Sequence, residues 1–236
     1  MRKILVLLLL IQASVTVGKQ AQAKENPKLE GTEWSDIWLY DANQNALPRV
    51  LLVGDSIVRG YFDAVRKDLD GKAYCDRYAT SMFLGNPDYL EELKIILNRY
   101  RFSVIHVNNG LHGWGYTEDQ YRQALPKLMD TLKKYGKGAV IIWATTTPRR
   151  NVQKPAQLAT DNERVVERNR IAVEYMTRHG IEVDDLYNLV ADHPEYYHLP
   201  QDATHFNPQG QAVEGKQISE IIMRSLTSNT SAGKGN

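Results

Sequence analysis

Cysteine is almost missing: the 236 residues hold one, Cys75. An intrachain disulfide is thereby excluded, and stability has to come from a buried core. An excess of either charge is missing as well, with 29 Lys and Arg against 28 Asp and Glu and a formal net charge of +1. That balance offers no basic surface to nucleic acid or another polyanion. No internal repeat and no His-Glu-x-x-His spacing occur, so neither a solenoid nor a helical zinc motif is indicated. The one long apolar run, residues 4–18, is short for a membrane span and contains Gln12, Ser14 and Thr16.

That run is better explained as an export signal. Met1-Arg2-Lys3 is a basic start, and Ala21-Gln22-Ala23 is a small-x-small cleavage site, giving a signal peptide over 1–23 and Lys24 as the first mature residue. The expectation is a periplasmic or secreted protein with no stable membrane insertion after cleavage. Cys75 lies far from the cleavage site, which excludes a lipid-modified cysteine there.

What is present is a core. Hydrophobic residues make up 42% of the chain, and the length suits one α/β domain. Residues 24–47 form a polar lead-in whose Trp34, Ile37, Trp38 and Leu39 are expected to pack onto the domain. Apolar runs then alternate with helical patterns. Strands are expected over 50–53, 72–80, 103–107, 139–143 and 181–183. Helices are expected over 57–69, 89–100, 117–136, 161–180 and 207–226. Thr117-Glu118-Asp119-Gln120 reads as a capping box, Asp161 as a helix cap, and Pro126 as a discord inside its helix. Residues 227–236, rich in Ser, Gly and Asn, are expected to be disordered. This alternation predicts a three-layer α/β/α sandwich around a parallel five-stranded sheet, with the domain over 48–226.

In such a sheet the strand C-termini share one edge, where ligands collect. Gly54-Asp55-Ser56 stands there, at a strand-to-helix junction. Ser56 is either a nucleophile or an N-cap. A serine nucleophile needs a base within hydrogen-bond reach and a carboxylate to orient that base. Asp202 and His205, three residues apart before the last helix, can supply both, unless Asp202 or Thr204 merely caps that helix. The oxyanion requires donors already in place. Candidates are the N–H groups of Ser56 and Gly85 and one side chain among Asn108, Asn109 and His112. Trp114, Tyr116 and Arg149 stand on neighbouring loops and could contact substrate. Cys75, within an expected strand, reads as a buried and inert thiol.

These blocks resemble the SGNH hydrolases, also called GDSL esterases. Leu51-Leu52-Val53-Gly54-Asp55-Ser56-Ile57 is similar to the first block of that superfamily, which carries the nucleophile. Asp202-Ala203-Thr204-His205-Phe206-Asn207-Pro208-Gln209-Gly210 is similar to its last block, and Gly85 falls where the second block has its glycine donor. The resemblance covers about residues 48 to 226. The third block departs from the family's Gly-x-Asn-Asp: either Gly110-Leu111-His112 puts His112 in the Asn place, or Asn108 or Asn109 serves instead.

The resemblance implies a flavodoxin-like fold, a Ser56-His205-Asp202 triad and no cofactor or metal. It also implies a small-molecule or glycan ester as substrate, since the family includes carbohydrate acetylesterases, lipases, lysophospholipases and thioesterases. No long apolar lid is evident, so a short acyl group, acetyl on a carbohydrate, is expected. Other readings weighed are an α/β-hydrolase, disfavoured because Val58 stands where its elbow has glycine, and a zinc hydrolase using His193, His198, Asp202 and His205. A non-catalytic glycan-binding protein is the third.

Overall fold

The computed structural model describes residues 27–232, with side chains through 228. The expected signal peptide and residues 24–26 lie outside the described residues.

The chain builds one mixed sheet in the order β1-β3-β2-β4-β5-β6. The strands are β1 (Ser35–Trp38), β2 (Arg49–Gly54), β3 (Tyr74–Thr80), β4 (Val104–Val107), β5 (Val140–Ala144) and β6 (Glu182–Asp184). β2 to β6 are parallel, as the alternation of runs requires. The sixth strand, β1, corrects the expected five. It comes from the lead-in and pairs antiparallel with β3, from Ser35 opposite Thr80 to Trp38 opposite Arg77. β1 is only four residues long and begins on Ser35-Asp36, so Ile37 and Trp38 are too few to leave an alternating pattern; pairing with the edge of β3 completes it. Ile37 and Trp38 on this edge remain 43% and 54% exposed.

Helices α1 (Ser56–Asp68) and α6 (Pro208–Ala232) cover one face of the sheet; α2 (Pro87–Arg99), α3 (Glu118–Tyr135) and α4 (Asn162–Arg178) cover the other. β2 feeds both layers through the two-residue period of a strand. Val50 and Leu52 pack with Val58, Phe62 and Ile222 on one side, and Leu51 and Val53 with Leu93, Leu125 and Met129 on the other.

The Thr117–Gln120 capping box forms in both directions, and α3 runs on through Pro126. Asp161 occupies the N-cap position of α4 but makes no cap bond; its carboxylate pairs with Arg149 instead. A short α5 (Leu186–Val190) and a 3-10 turn at Pro194–Tyr196 are too brief to leave a periodic signal. α6 continues through 227–232, beyond the point where the tail was expected to lose order; the Thr227 and Ser228 hydroxyls bond back to the Arg224 carbonyl.

The lead-in is fastened to the sheet by a buried ion pair. Arg49 Nη1 lies 2.7 Å from Asp76 Oδ2, with the two side chains 7% and 0% exposed. Arg49 also donates to the carbonyls of Tyr40, Asp41 and Gln44, and Tyr40 N–H donates to Asp76 Oδ1. Removing one partner strands the other charge without water. Asp76→Ala should therefore lower unfolding free energy by about 3–5 kcal/mol, read from denaturant melts.

Strand order places a switch point at β2. The chain leaves β2 toward β3 on one side, then returns across it to β4 on the other, so the connections diverge from the C-terminal end of β2 and open a crevice there. Ser56 stands at that opening.

Candidate active site

The site begins with a close approach. A side chain on Gly54 would put Cβ 2.2 Å from Val58 Cγ2, so only glycine lets the first turn of α1 fold back on the end of β2. Asp55 follows as the N-cap, its Oδ1 accepting the Ile57 N–H at 2.9 Å. Capping is thus done by Asp55, and Ser56, the first helical residue, keeps its hydroxyl for another partner. That partner is His205, whose Nε2 lies 2.7 Å from Ser56 Oγ.

The same division of labour holds at the other end of the chain. The start of α6 is capped by Asn207, whose Oδ1 accepts from Gln209 N–H at 3.0 Å and Gly210 N–H at 3.1 Å. Asp202 is left for His205: its Oδ2 meets Nδ1, while Oδ1 accepts the N–H groups of Thr204 (2.8 Å) and His205 (3.1 Å). Partial burial pushes the Asp202 carboxyl up. The bond to His205, the Thr204 and His205 N–H groups and the His205 charge outweigh it and hold the group below the ordinary carboxylate range. Its contribution to stability is therefore present above the unfolded carboxylate pKa and lost only as pH falls through the lower folded value.

The structure thus brings Ser56, His205 and Asp202 into one relay. His205 and Asp202 keep 41% and 38% of their side chains exposed, so the relay opens onto the rim. Beneath it, Asp55 is buried, with Oδ2 unpartnered among the described residues. Burial raises its pKa, opposed by the charges of His112 and His205 and by the Ile57 N–H.

The remaining expected residues divide by what already holds them. Gly85 sits in the turn after β3 under Phe83 and Ala124, where an added Cβ would come within 2.7 and 2.8 Å of their side chains. Neither the Ser56 nor the Gly85 N–H has a hydrogen-bond partner among the described residues. Asn108 Nδ2 donates to Ala144 O at 3.0 Å and lies 3.4 Å from Thr146 Oγ1. Asn109 donates to Met82 O at 3.1 Å, joining the loop after β4 to the loop after β3. His112 keeps Nε2 free among the described residues, with Nδ1 on Glu30.

Tyr116 is a brace, stacked on Phe83 at 4.0 Å and accepting the Lys28 N–H on its hydroxyl. Trp114 is half-buried beneath the guanidiniums of Arg149, Arg164 and Arg168. Arg149 reaches the Asp202–His205 turn through Thr204 Oγ1 at 3.5 Å. Of the residues weighed for zinc, His193 pairs with Glu195, and no His, Cys, Asp or Glu trio is placed to share an ion among the described residues. Cys75 is buried, and burial pushes its thiol far up, which leaves it inert.

No sequence-family model and no curated protein sequence matches the chain. Solved structures do. A GDSL-like lipase from Bacteroides thetaiotaomicron aligns over 75% of this chain and 88% of its own at 13% identity and a TM-score of 0.60. A carbohydrate acetylesterase family member from Sinorhizobium meliloti aligns over 77% and 100% at 14% identity and TM-score 0.60. The M. smegmatis aryl esterase aligns over 75% and 99% at 10% identity and TM-score 0.62. The chain has the SGNH hydrolase fold.

On this SGNH scaffold, two residues with a hand in the site escaped the sequence reading. Arg168 of α4 is wholly buried and donates to the carbonyls of Gly110, His112 and Gly113 at 3.0, 2.7 and 3.0 Å, fixing the loop after β4. Its signal was available: an arginine on the apolar stripe with Val165, Ile171 and Ala172 must be paid for by buried acceptors. Glu30 gave none, because its partners are 82 and 83 residues away.

Proposed function

We propose that the protein is an exported serine esterase that removes short acyl groups, acetyl above all, from carbohydrates. The observation that carries the reading is the continuous Ser56 Oγ–His205 Nε2, Nδ1–Asp202 relay at the switch point of an SGNH fold. His205 takes the Ser56 proton as Oγ attacks the ester carbonyl, and Asp202 stabilises the imidazolium that forms. The N–H groups of Ser56 and Gly85 and a side chain from the loop after β4 hold the oxyanion. His205 then returns the proton to the departing alcohol. Water, deprotonated by the same imidazole, releases the acyl group from Ser56.

The short-acyl assignment rests on the openness of the relay and on the polar residues around it. Thr204 stands in the triad turn and bonds Arg149, whose guanidinium lies over Trp114, and these groups suit a hydroxylated alcohol group better than a fatty chain. No helix among the described residues is long and apolar enough to cross a membrane. A nitrophenyl ester series from acetate to palmitate, run beside acetate release from a panel of acetylated glycans, tests the assignment. kcat/KM should be highest for acetate and fall by about tenfold or more by octanoate. A maximum at long chains would instead indicate a lipase or lysophospholipase.

A further inference from the structure

The apolar stripe of α6 carries one misfit. Ile218, Ile221 and Ile222 follow Glu214 at the spacing of one helix face, so Glu214 turns into the core with them. It is wholly buried, and neither carboxyl oxygen has a hydrogen-bond partner among the described residues. The helices close tightly beside it: a Cβ on Gly215 would lie 2.6 Å from Ala64 Cβ of α1. Two other buried acids share this layer, and each is already served. Asp184 accepts from Gln217 Nε2 at 2.7 Å and stands 2.9 Å from His106 Nε2, while Asp55 accepts the Ile57 N–H. Both charges that act on Glu214, those of Asp55 and Asp184, are negative. All three acids act in turn on Tyr61 of α1, whose buried hydroxyl is also unpartnered among the described residues. These groups stand near enough to feel one another and are not placed to bond directly. Other titratable groups of the layer are His106, with Nδ1 unpartnered among the described residues, Cys75 of β3, and Tyr197 with Arg150 over its ring.

We propose that Glu214 is carried as an uncharged carboxylic acid and that, with the Tyr61 hydroxyl and Asp55 Oδ2, it binds internal water beneath the turn that carries Ser56. A carboxylate here would be a buried charge with neither donor nor cation, which costs far more than a neutral acid in the same place. Burial and two negative neighbours push the Glu214 carboxyl the same way, well above the ordinary carboxylate range. A proton on Glu214 also spares Asp55, the cap of α1, a further negative charge beside it. Acid, phenol and capping oxygen still need partners, because buried polar groups almost always have one. Water fits all three. It can accept the Glu214 and Tyr61 O–H groups and donate to Asp55 Oδ2, about the three bonds that an internal water makes. The proposal does not rest on the esterase reading.

Infrared spectra and urea melts of wild type and of Glu214→Gln, an isostere of the neutral acid, test it together with a crystal structure of the wild type. With ¹³C-labelled glutamate, the folded wild type at neutral pH should show the C=O stretch of a protonated carboxyl, shifted by the label and missing from Glu214→Gln. The melts read the same proton. Below the unfolded glutamate pKa of about 4.3, folded and unfolded states both hold it. Above that value the unfolded chain releases the proton and the fold keeps it. The wild-type folding constant, relative to that of Glu214→Gln, should therefore fall about tenfold per pH unit, roughly a hundredfold from pH 5 to pH 7. The crystal structure should show ordered water within hydrogen-bond reach of Glu214 and Tyr61. A ratio that stays flat with pH, or the absence of a labelled carboxyl band from folded wild type, would mean an ionised Glu214 and would overturn the proposal. So would a crystal structure in which the site is dry or Glu214 bonds the protein directly.

Discussion

Replacing Ser56 with alanine should abolish ester hydrolysis, with a loss in kcat of about 10⁶, the scale seen when a serine nucleophile is removed from a triad. Thermal unfolding should be nearly unchanged. The reason lies in the local division of bonds: Asp55, not Ser56, caps α1, and among the described residues the Ser56 hydroxyl is bonded to His205 alone. Deleting Oγ therefore removes the attacking atom without exposing a helix end or leaving a buried group unpaired. A variant that loses activity together with its melting transition would point to a structural serine. One that keeps turnover would point to a different nucleophile.

Asp202→Asn should cost about 10⁴ in kcat, comparable to the loss when the orienting aspartate of a serine triad is amidated. Asn can keep the two backbone bonds that Oδ1 accepts from Thr204 and His205, so the turn should hold its shape. Its NH₂ group would then face Nδ1 and donate to it. That reverses the tautomer: Nε2 carries the proton, points it at Ser56, and can no longer accept. The effect should appear in kcat, with KM little moved. Near-normal kcat would mean that a carboxylate other than Asp202 orients His205.

Much of this site can be read from residues alone, for a physical reason. A strand buried on both faces must be apolar throughout, and Val50 to Val53 is; the polar block that follows it has to lie at an edge of the sheet. Ser56, Asp202 and His205 stand in such blocks, at opposite ends of the chain. Sequence leaves open whether they are catalytic groups or caps. The structure adds that Asp55 and Asn207 do the capping, which frees the other three to meet.

The illegible parts share a different cause. β1, Glu30 and the Arg168 fan are set by partners far along the chain, and no local period encodes them. The loop after β4 shows the limit most clearly. Asn108, Asn109 and His112 are all donors by residue type, and their partners, Ala144 and Thr146, Met82, and Glu30, lie on other segments of the chain. At the end of α6 Ser and Thr, poor helix formers by themselves, follow a long packed helix and continue it, Thr227 and Ser228 bonding back to the preceding turn.

The most direct measurement is the mass of the intact, folded protein after treatment with a serine-directed phosphonate, followed by peptide mapping. The account predicts one adduct, on Ser56, forming far more slowly in Asp202→Asn and absent in Ser56→Ala. A folded wild-type protein that takes up no phosphonate, or takes it up at another residue, would contradict it.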